Sequence, residues 1–347
     1  MLLDRIITEI RSGGPIGFDR FMEMALYDPD AGYFTTGTLR SDRGGDFLTS
    51  PEVSPMFGEA IARFVAAEHD RVGRGFSIAE VGGGSGSLLR PLLDALEFPI
   101  KSVIAAERSE AARHSIARTV PEAVFADDIP RMRGIVVANE LLDNFPAAIV
   151  ERSGGCWVER VVTFRDDALA WDTRSPRAEL VEWATAYGGV VPEGGLVEVQ
   201  LEATRWITAA LARIQTGALV LIDYGDLTHH LEGRREHGTV RTYRGHHLGP
   251  DPLTEPGSTD VTMDVSFTAL LAAAEAAGAT TEFLRQDDFL EQWGLGDRLR
   301  ELKEAELSAA REGRVMEQLI LRSQITEGET LIHPRGLGDF RVLICRK

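Results

Sequence analysis

The chain has 347 residues, 44% of them hydrophobic and 26% charged, with 37 Lys and Arg against 54 Asp and Glu for a formal charge of −17. That is the balance of a globular protein with one sizeable core or two modest ones, and the acidic surplus argues against a nucleic-acid-binding face. The two cysteines, Cys156 and Cys345, lack metal-ligand spacing, which disfavours a disulfide framework or a zinc site and points to a reducing, cytoplasmic setting.

Residues 1–70 read as helical with a long irregular stretch. Leu3, Ile6, Ile7 and Ile10 recur at helical spacing, and Asp4 and Glu9 make this opening unlike a signal peptide or a mitochondrial presequence. Gly14-Pro15 breaks the pattern and Phe18–Leu26 resumes it, and Asp28-Pro29, Gly32, Gly37 and Gly44-Gly45 punctuate an irregular stretch. Met56–Ala67 is periodic again. From residue 71 the pattern becomes alternating strand and helix. Apolar, partly β-branched runs at 76–81, 102–107, 123–128, 134–140 and 218–225 read as strands, with helical spacing at 88–96, 109–118 and 201–214 between them. A helix at 267–277, a strand at 279–284, helices over 286–325 and a strand at 340–347 close the chain, the last two strands antiparallel. This predicts an α/β fold, a Rossmann-like seven-stranded sheet covered on both faces. Two regions interrupt it: an inserted α+β lobe at about 147–200, with a hairpin turning at Gly154-Gly155 and a helix over 177–187, and a polar loop at 226–263. No apolar run is long enough to span a bilayer.

The first strand runs into Glu80-Val81-Gly82-Gly83-Gly84-Ser85-Gly86. Glycines at 82, 84 and 86 allow a sharp turn and a close approach to a ligand. The spacing misses the dinucleotide fingerprint by one residue, Ser87, and there is no Gly-Lys-Ser/Thr for a phosphate loop. A glycine turn preceded by an acid fits S-adenosyl-L-methionine, whose amino-acid end carries an ammonium. Glu107 ends the second strand, where such folds place a ribose-binding acid, and Asp127-Asp128 ends the third, beside the expected adenine. A glycine turn alone is equally a plain strand–helix connection; three strand ends in chain order make the cofactor reading.

The fourth strand ends in Asn139-Glu140-Leu141-Leu142-Asp143. Open parallel sheets bind ligands at the carboxyl ends of their strands, so Asn139, Glu140 and Asp143 are the candidate catalytic residues. Methyl transfer is a displacement that depends on positioning, and carboxylates can grip a guanidinium bidentately. Asp143 could equally cap the next helix. Asp223-Tyr224-Gly225 could line the same cleft or form an ordinary turn. The pairs His229-His230 and His246-His247 lack ligand spacing to an acid or cysteine, so no metal site is expected.

These segments resemble the mitochondrial complex I assembly methyltransferase family and its bacterial homologues, whose eukaryotic member is a protein-arginine methyltransferase. The resemblance runs from about residue 14 to the end. Its marks are GPIGFDRFMEMALYDPDAGYF (14–34), GDFLTSPEVSPMFGE (45–59), EVGGGSGSLL (80–89), ANELLDNFP (138–146), LIDYG (221–225), RTYRGHH (241–247), DPLTEPGSTDVTMDV (251–265) and GLGDFRVLICRK (336–347). The resemblance implies S-adenosylmethionine as donor and an arginine-bearing protein, such as a respiratory-chain subunit, as acceptor. It also implies that Thr49, Ser50, Pro51 and Glu52 lie over the cofactor. A segment from about Gly44 to Gly58 then reads as a lid hinged at its glycines. The family's turn commonly reads Gly-Pro-Gly-Arg-Gly, and here Gly83 and Ser85 replace the Pro and Arg. A small-molecule O-, N- or C-methyltransferase and a non-enzymatic cofactor-binding assembly factor are the competing readings.

Overall fold

The computed structural model describes residues 1–36, 49–244 and 247–347. Its centre is a seven-stranded sheet: β1 (Ser77–Val81), β2 (Ser102–Ala106), β3 (Val124–Ala126), β4 (Met132–Asn139), β5 (Ile214–Asp223), β6 (Thr280–Arg285) and β7 (Arg341–Arg346). The order is β3-β2-β1-β4-β5-β7-β6. The first five strands are parallel, and β7 runs antiparallel to both of its neighbours. The strand order reverses between β1 and β4, which opens a crevice at their carboxyl ends.

Alternation along the strands sorts the core into two layers. Ile78, Val103, Ile135, Val137, Val220 and Val342 face one side, which also buries Phe57, Ile61, Phe64 and Val65. These four belong to a helix over Met56–Val72. Ala79, Ile104, Val136, Ala138, Leu219 and Leu343 face the other side, packed on Ile207 and Leu211 and on Phe267 and Leu270. Those residues come from helices over Leu201–Arg213 and Phe267–Ala276. All seven expected strands form, and β5 starts earlier than the sequence pattern indicates, at Ile214. The helices expected over 286–325 are three, Gln286–Gln292, Leu295–Arg311 and Val315–Leu331.

The inserted lobe holds the expected hairpin, Ala148–Ser153 with Cys156–Arg165, turning at Gly154-Gly155. It also gains strands at Ala168–Arg174 and Leu196–Val199, and Ile16–Gly17 pairs onto its edge. Helices Leu2–Gly13 and Phe18–Tyr27 bury Ile6, Ile10, Phe21 and Met22 against Ile149, Val162, Val261 and Met263. The N-terminal helices therefore pack on the lobe, whereas Met56–Val72 packs on the central sheet.

Residues 226–263 are not the polar loop expected. They contain a helical turn at Thr228–Leu231 and a small sheet in which Arg241–Arg244 pairs with His247–Leu248 and with Asp260–Thr262. Thr242, Thr259, Asp260 and Thr262 are buried there. Strand pairing with a distant partner gives these polar residues order that their own sequence does not advertise.

Candidate active site

The turn after β1 has positive φ at Gly82, Gly84 and Gly86, 68°, 51° and 80°, where a side chain would strain the backbone. A Cβ at Gly82 would also fall 2.8 Å from Leu141 Cδ1. Glu107, at the end of β2, closes the turn from the other side. Its Oε2 accepts from the Gly84 N–H at 3.3 Å and its Oε1 from the Ser109 N–H at 2.7 Å. Glu80 is buried beneath the turn, and its Oε2 has no partner. Burial and the neighbouring Glu107 push the Glu80 carboxyl up to about 8. A buried acceptor without a donor, under a turn whose positive φ angles favour glycine, suits a ligand bearing an ammonium.

Asp127 and Asp128 sit further out. Arg113 ties Asp127 to the site: its Nε donates to the Glu107 carbonyl at 2.5 Å and its Nη2 to Asp127 Oδ1 at 2.7 Å, while Asp128 lies 3.6 Å from Arg213. Asp127 is almost fully exposed, while Asp128 accepts from the Ile129 N–H at 2.7 Å.

A short helix, Ser50–Val53, bridges the glycine turn and the end of β4. Thr49 caps it, its N–H and hydroxyl both donating to Glu52 Oε2 at 3.1 and 3.2 Å. Ser85 donates to Glu52 Oε1 at 3.1 Å, so the residue that replaces the family's arginine secures the turn to this helix. The Ser50 N–H reaches Glu140 Oε1 at 3.4 Å, and its hydroxyl meets the fully buried Gln286. Of the lid expected over 44–58, residues 44–48 lie outside the described residues. Gly58 is no hinge: it lies inside the helix Met56–Val72, where a Cβ would stand 3.0 Å from the Leu88 carbonyl and the Leu92 nitrogen. It serves close packing of chain on chain.

At the end of β4, Asn139 Nδ2 donates to Glu140 Oε1 at 3.1 Å, and Asn139 Oδ1 is buried without a partner. Glu140 has φ 49°, an uncommon conformation for a side-chain-bearing residue, held by its N–H to the Ile222 carbonyl at 2.8 Å. Desolvation and the nearby Asp143 push its carboxyl up to about 8. Asp143 is not the helix cap. It lies within the 3₁₀ turn Leu142–Asn144, and the capping acid is Asp223 from β5, whose Oδ2 takes the N–H groups of Leu141, Leu142 and Asp143 at 3.0–3.3 Å. Asp143 is buried, its Oδ2 held by the hydroxyls of Tyr224 and Thr262, its Oδ1 without a partner. Burial raises its carboxyl. The Arg241 guanidinium lies over the Tyr224 ring, 5.3 Å from the centroid.

Three residues that shape the site escape sequence reasoning. Tyr27 donates to the Asn144 carbonyl at 3.1 Å and brings the N-terminal helices to the cleft. Thr262 holds Asp143, and Gln286 holds Ser50. Tyr27 and Thr262 lie in distinctive blocks, 14–34 and 251–265, but nothing local marks Gln286. Among the described residues no His, Cys, Asp or Glu trio groups as a metal site.

Residues 60–284 match the model of a family of S-adenosyl-L-methionine-dependent methyltransferases. A COG1565 superfamily member from Burkholderia thailandensis, bound to S-adenosyl-homocysteine, superposes with a TM-score of 0.88 at 29% identity, over 100% of this chain and 92% of that one. Among curated proteins, the protein arginine methyltransferase NDUFAF7 of Bos taurus is 26% identical over 97% of this chain and 81% of its own length. The Drosophila melanogaster homologue is 28% identical over 80% and 70%. The buried, donor-less Glu80 and the glycine turn fit the S-adenosylmethionine of the matched family. With the sheet order, the turn and these likenesses together, this chain belongs to the family of S-adenosylmethionine-dependent methyltransferases that includes the mitochondrial NDUFAF7 proteins and their bacterial homologues.

Proposed function

We propose that this methyltransferase acts on an arginine side chain of a protein, and that Glu80, the glycines at 82, 84 and 86, Glu107 and Asp127-Asp128 hold the cofactor. One observation carries the reading. Among the described residues, the buried carboxylate and amide oxygens that lack a hydrogen-bond partner are Glu80 Oε2, Asn139 Oδ1 and Asp143 Oδ1. All three lie at or just beyond the carboxyl ends of neighbouring strands β1 and β4. Such acceptors call for donors, and a cleft with two of them beside Glu140 is suited to a planar group with five N–H donors. The names of the curated relatives, protein arginine methyltransferases, support the same acceptor class, and the resemblance extends it to a respiratory-chain subunit.

When bound, the cofactor supplies an electrophilic methyl on a sulfonium. Glu80 would face its ammonium, and Glu107 its ribose hydroxyls. Glu140, steadied by Asn139 and by the Ser50 N–H, orients the guanidinium, with Asp143 Oδ1 taking a second N–H. Glu140 would accept the proton that the guanidinium gives up as its nitrogen takes the methyl. Arginine keeps its proton in water, so a positioned carboxylate contributes by localising the charge and receiving that proton late.

Glu140→Gln keeps the shape and the Asn139 contact and removes the charge. Methyl incorporation into arginine-bearing protein should fall about a hundredfold or more, within the 10²–10⁴-fold range of positioned acid–base groups, with S-adenosylhomocysteine affinity within about threefold of the parent. Wild-type turnover in that variant, or a wild-type enzyme that labels small molecules and leaves protein unlabelled, would overturn the assignment.

A further inference from the structure

The helices Leu295–Arg311 and Val315–Leu331 form an antiparallel hairpin whose base packs on the helices Ser50–Val53, Met56–Val72 and Gln286–Gln292. Its base is ordinary core: Leu295, Leu299, Leu302, Ile325 and Leu331 are buried with Met56, Phe64 and Phe289. Its tip is different. Among the described residues, ten large hydrophobic side chains are exposed, and five of them, Leu307, Val315, Met316, Leu319 and Ile320, fall within residues 307–320, each 52–72% exposed. Glu306 accepts from Gln318 at 2.7 Å and from Arg322 at 2.9 Å, which sets Leu307 level with the 315–320 turns. Val315 and Leu319, like Met316 and Ile320, are four residues apart, so they stack along one helical face.

We infer that this hairpin tip is the surface on which two copies of the chain associate. Electrostatics selects the occupant. The chain carries −17, so two copies repel through most of their surface. Residues 303–322, in contrast, contain four basic and four acidic side chains. Arg314 pairs with Glu312 and Glu317, and Arg322 with Glu306. A neutral, largely paired rim around an apolar centre lets like-charged copies meet without opposing their net charges. A basic partner would be drawn to the acidic remainder instead, and an anionic lipid surface would repel it. The size also fits. The five side chains expose roughly 500 Å², near the upper end of patches that monomers tolerate, and with the paired rim the tip reaches about the 800 Å² per partner of a standard interface. Two hairpins related by a twofold axis would form a four-helix bundle, each covering the other's 307–320 face.

Sedimentation equilibrium of the full chain, at concentrations from about 1 to 100 µM and at low and high salt, tests this. The wild type should be dimeric in the upper part of that range, with a dissociation constant that high salt does not raise, since the buried contact is apolar. Leu319→Glu, and independently Met316→Lys, should each raise that constant at least tenfold, while helicity by circular dichroism and S-adenosylhomocysteine binding stay at wild-type values. A wild type that remains monomeric at 100 µM overturns the inference. So does a dimer that survives both substitutions, or a monomer that binds phosphatidylglycerol vesicles through this tip.

Discussion

Replacing Glu80 by Gln should strengthen the apo fold and weaken the holo complex at once. Glu80 is buried, has an oxygen without a donor, and titrates near 8 in place of the usual 4.5. The folded chain therefore binds a proton at Glu80 that the unfolded chain releases between pH 4.5 and 8. Stability falls as pH rises through that window, by about 1.4 kcal/mol per unit for this one group, or about 3 kcal/mol by pH 7. Gln carries no such dependence. Urea unfolding at pH 5.5 and 7.5 should show the variant gaining on the wild type between the two, by about 2–3 kcal/mol. Glu140 titrates near the same value and burial also raises the Asp143 and Asp223 carboxyls, so most of the wild type's slope should remain in the variant. Calorimetry with S-adenosylhomocysteine should show the opposite trend. The loss of a charge-assisted bond to an ammonium costs about 1.5–3 kcal/mol, a ten- to hundredfold loss of affinity. Parallel pH dependences in the two proteins would show that Glu80 is not the buried acid described. Unchanged affinity would remove it from the cofactor site.

Two further outcomes rest on the same geometry. Glu107→Ala frees the N–H groups of Gly84 and Ser109 and would remove the proposed ribose contact, so S-adenosylhomocysteine affinity should drop about ten- to hundredfold with the fold intact; an affinity equal to the wild type's would reassign that contact. The kcat/KM for a protein acceptor should rise with pH, pass half its maximum near 8 and level off above that as Glu140 ionises, because only the carboxylate can grip a guanidinium and receive its proton; a profile flat from pH 6 to 8.5 would mean that another group does this.

Much of this protein is legible in the order of its residues. The seven strands follow from short apolar, partly β-branched runs and their intervening helices from a period of 3.6, both of which are local. The glycine turn, Glu107 and the Asn139-Glu140 pair are legible for a related reason: in a parallel sheet every strand delivers its carboxyl end to one edge, so chain order alone gathers them. Tertiary structure decided what holds those groups. Asp223 caps the 3₁₀ turn from 80–82 residues away, Thr262 steadies Asp143 from 119, and Gln286 anchors Ser50 from 236. Each is a polar residue whose type is compatible with solvent, and no local period separates a hydroxyl that faces water from one that faces a buried carboxylate. The same ambiguity makes 226–263 read as a loop. Its Thr242, Asp260 and Thr262 become strand residues only when Arg241–Arg244 finds Asp260–Thr262 across a fold that has already brought the two segments together.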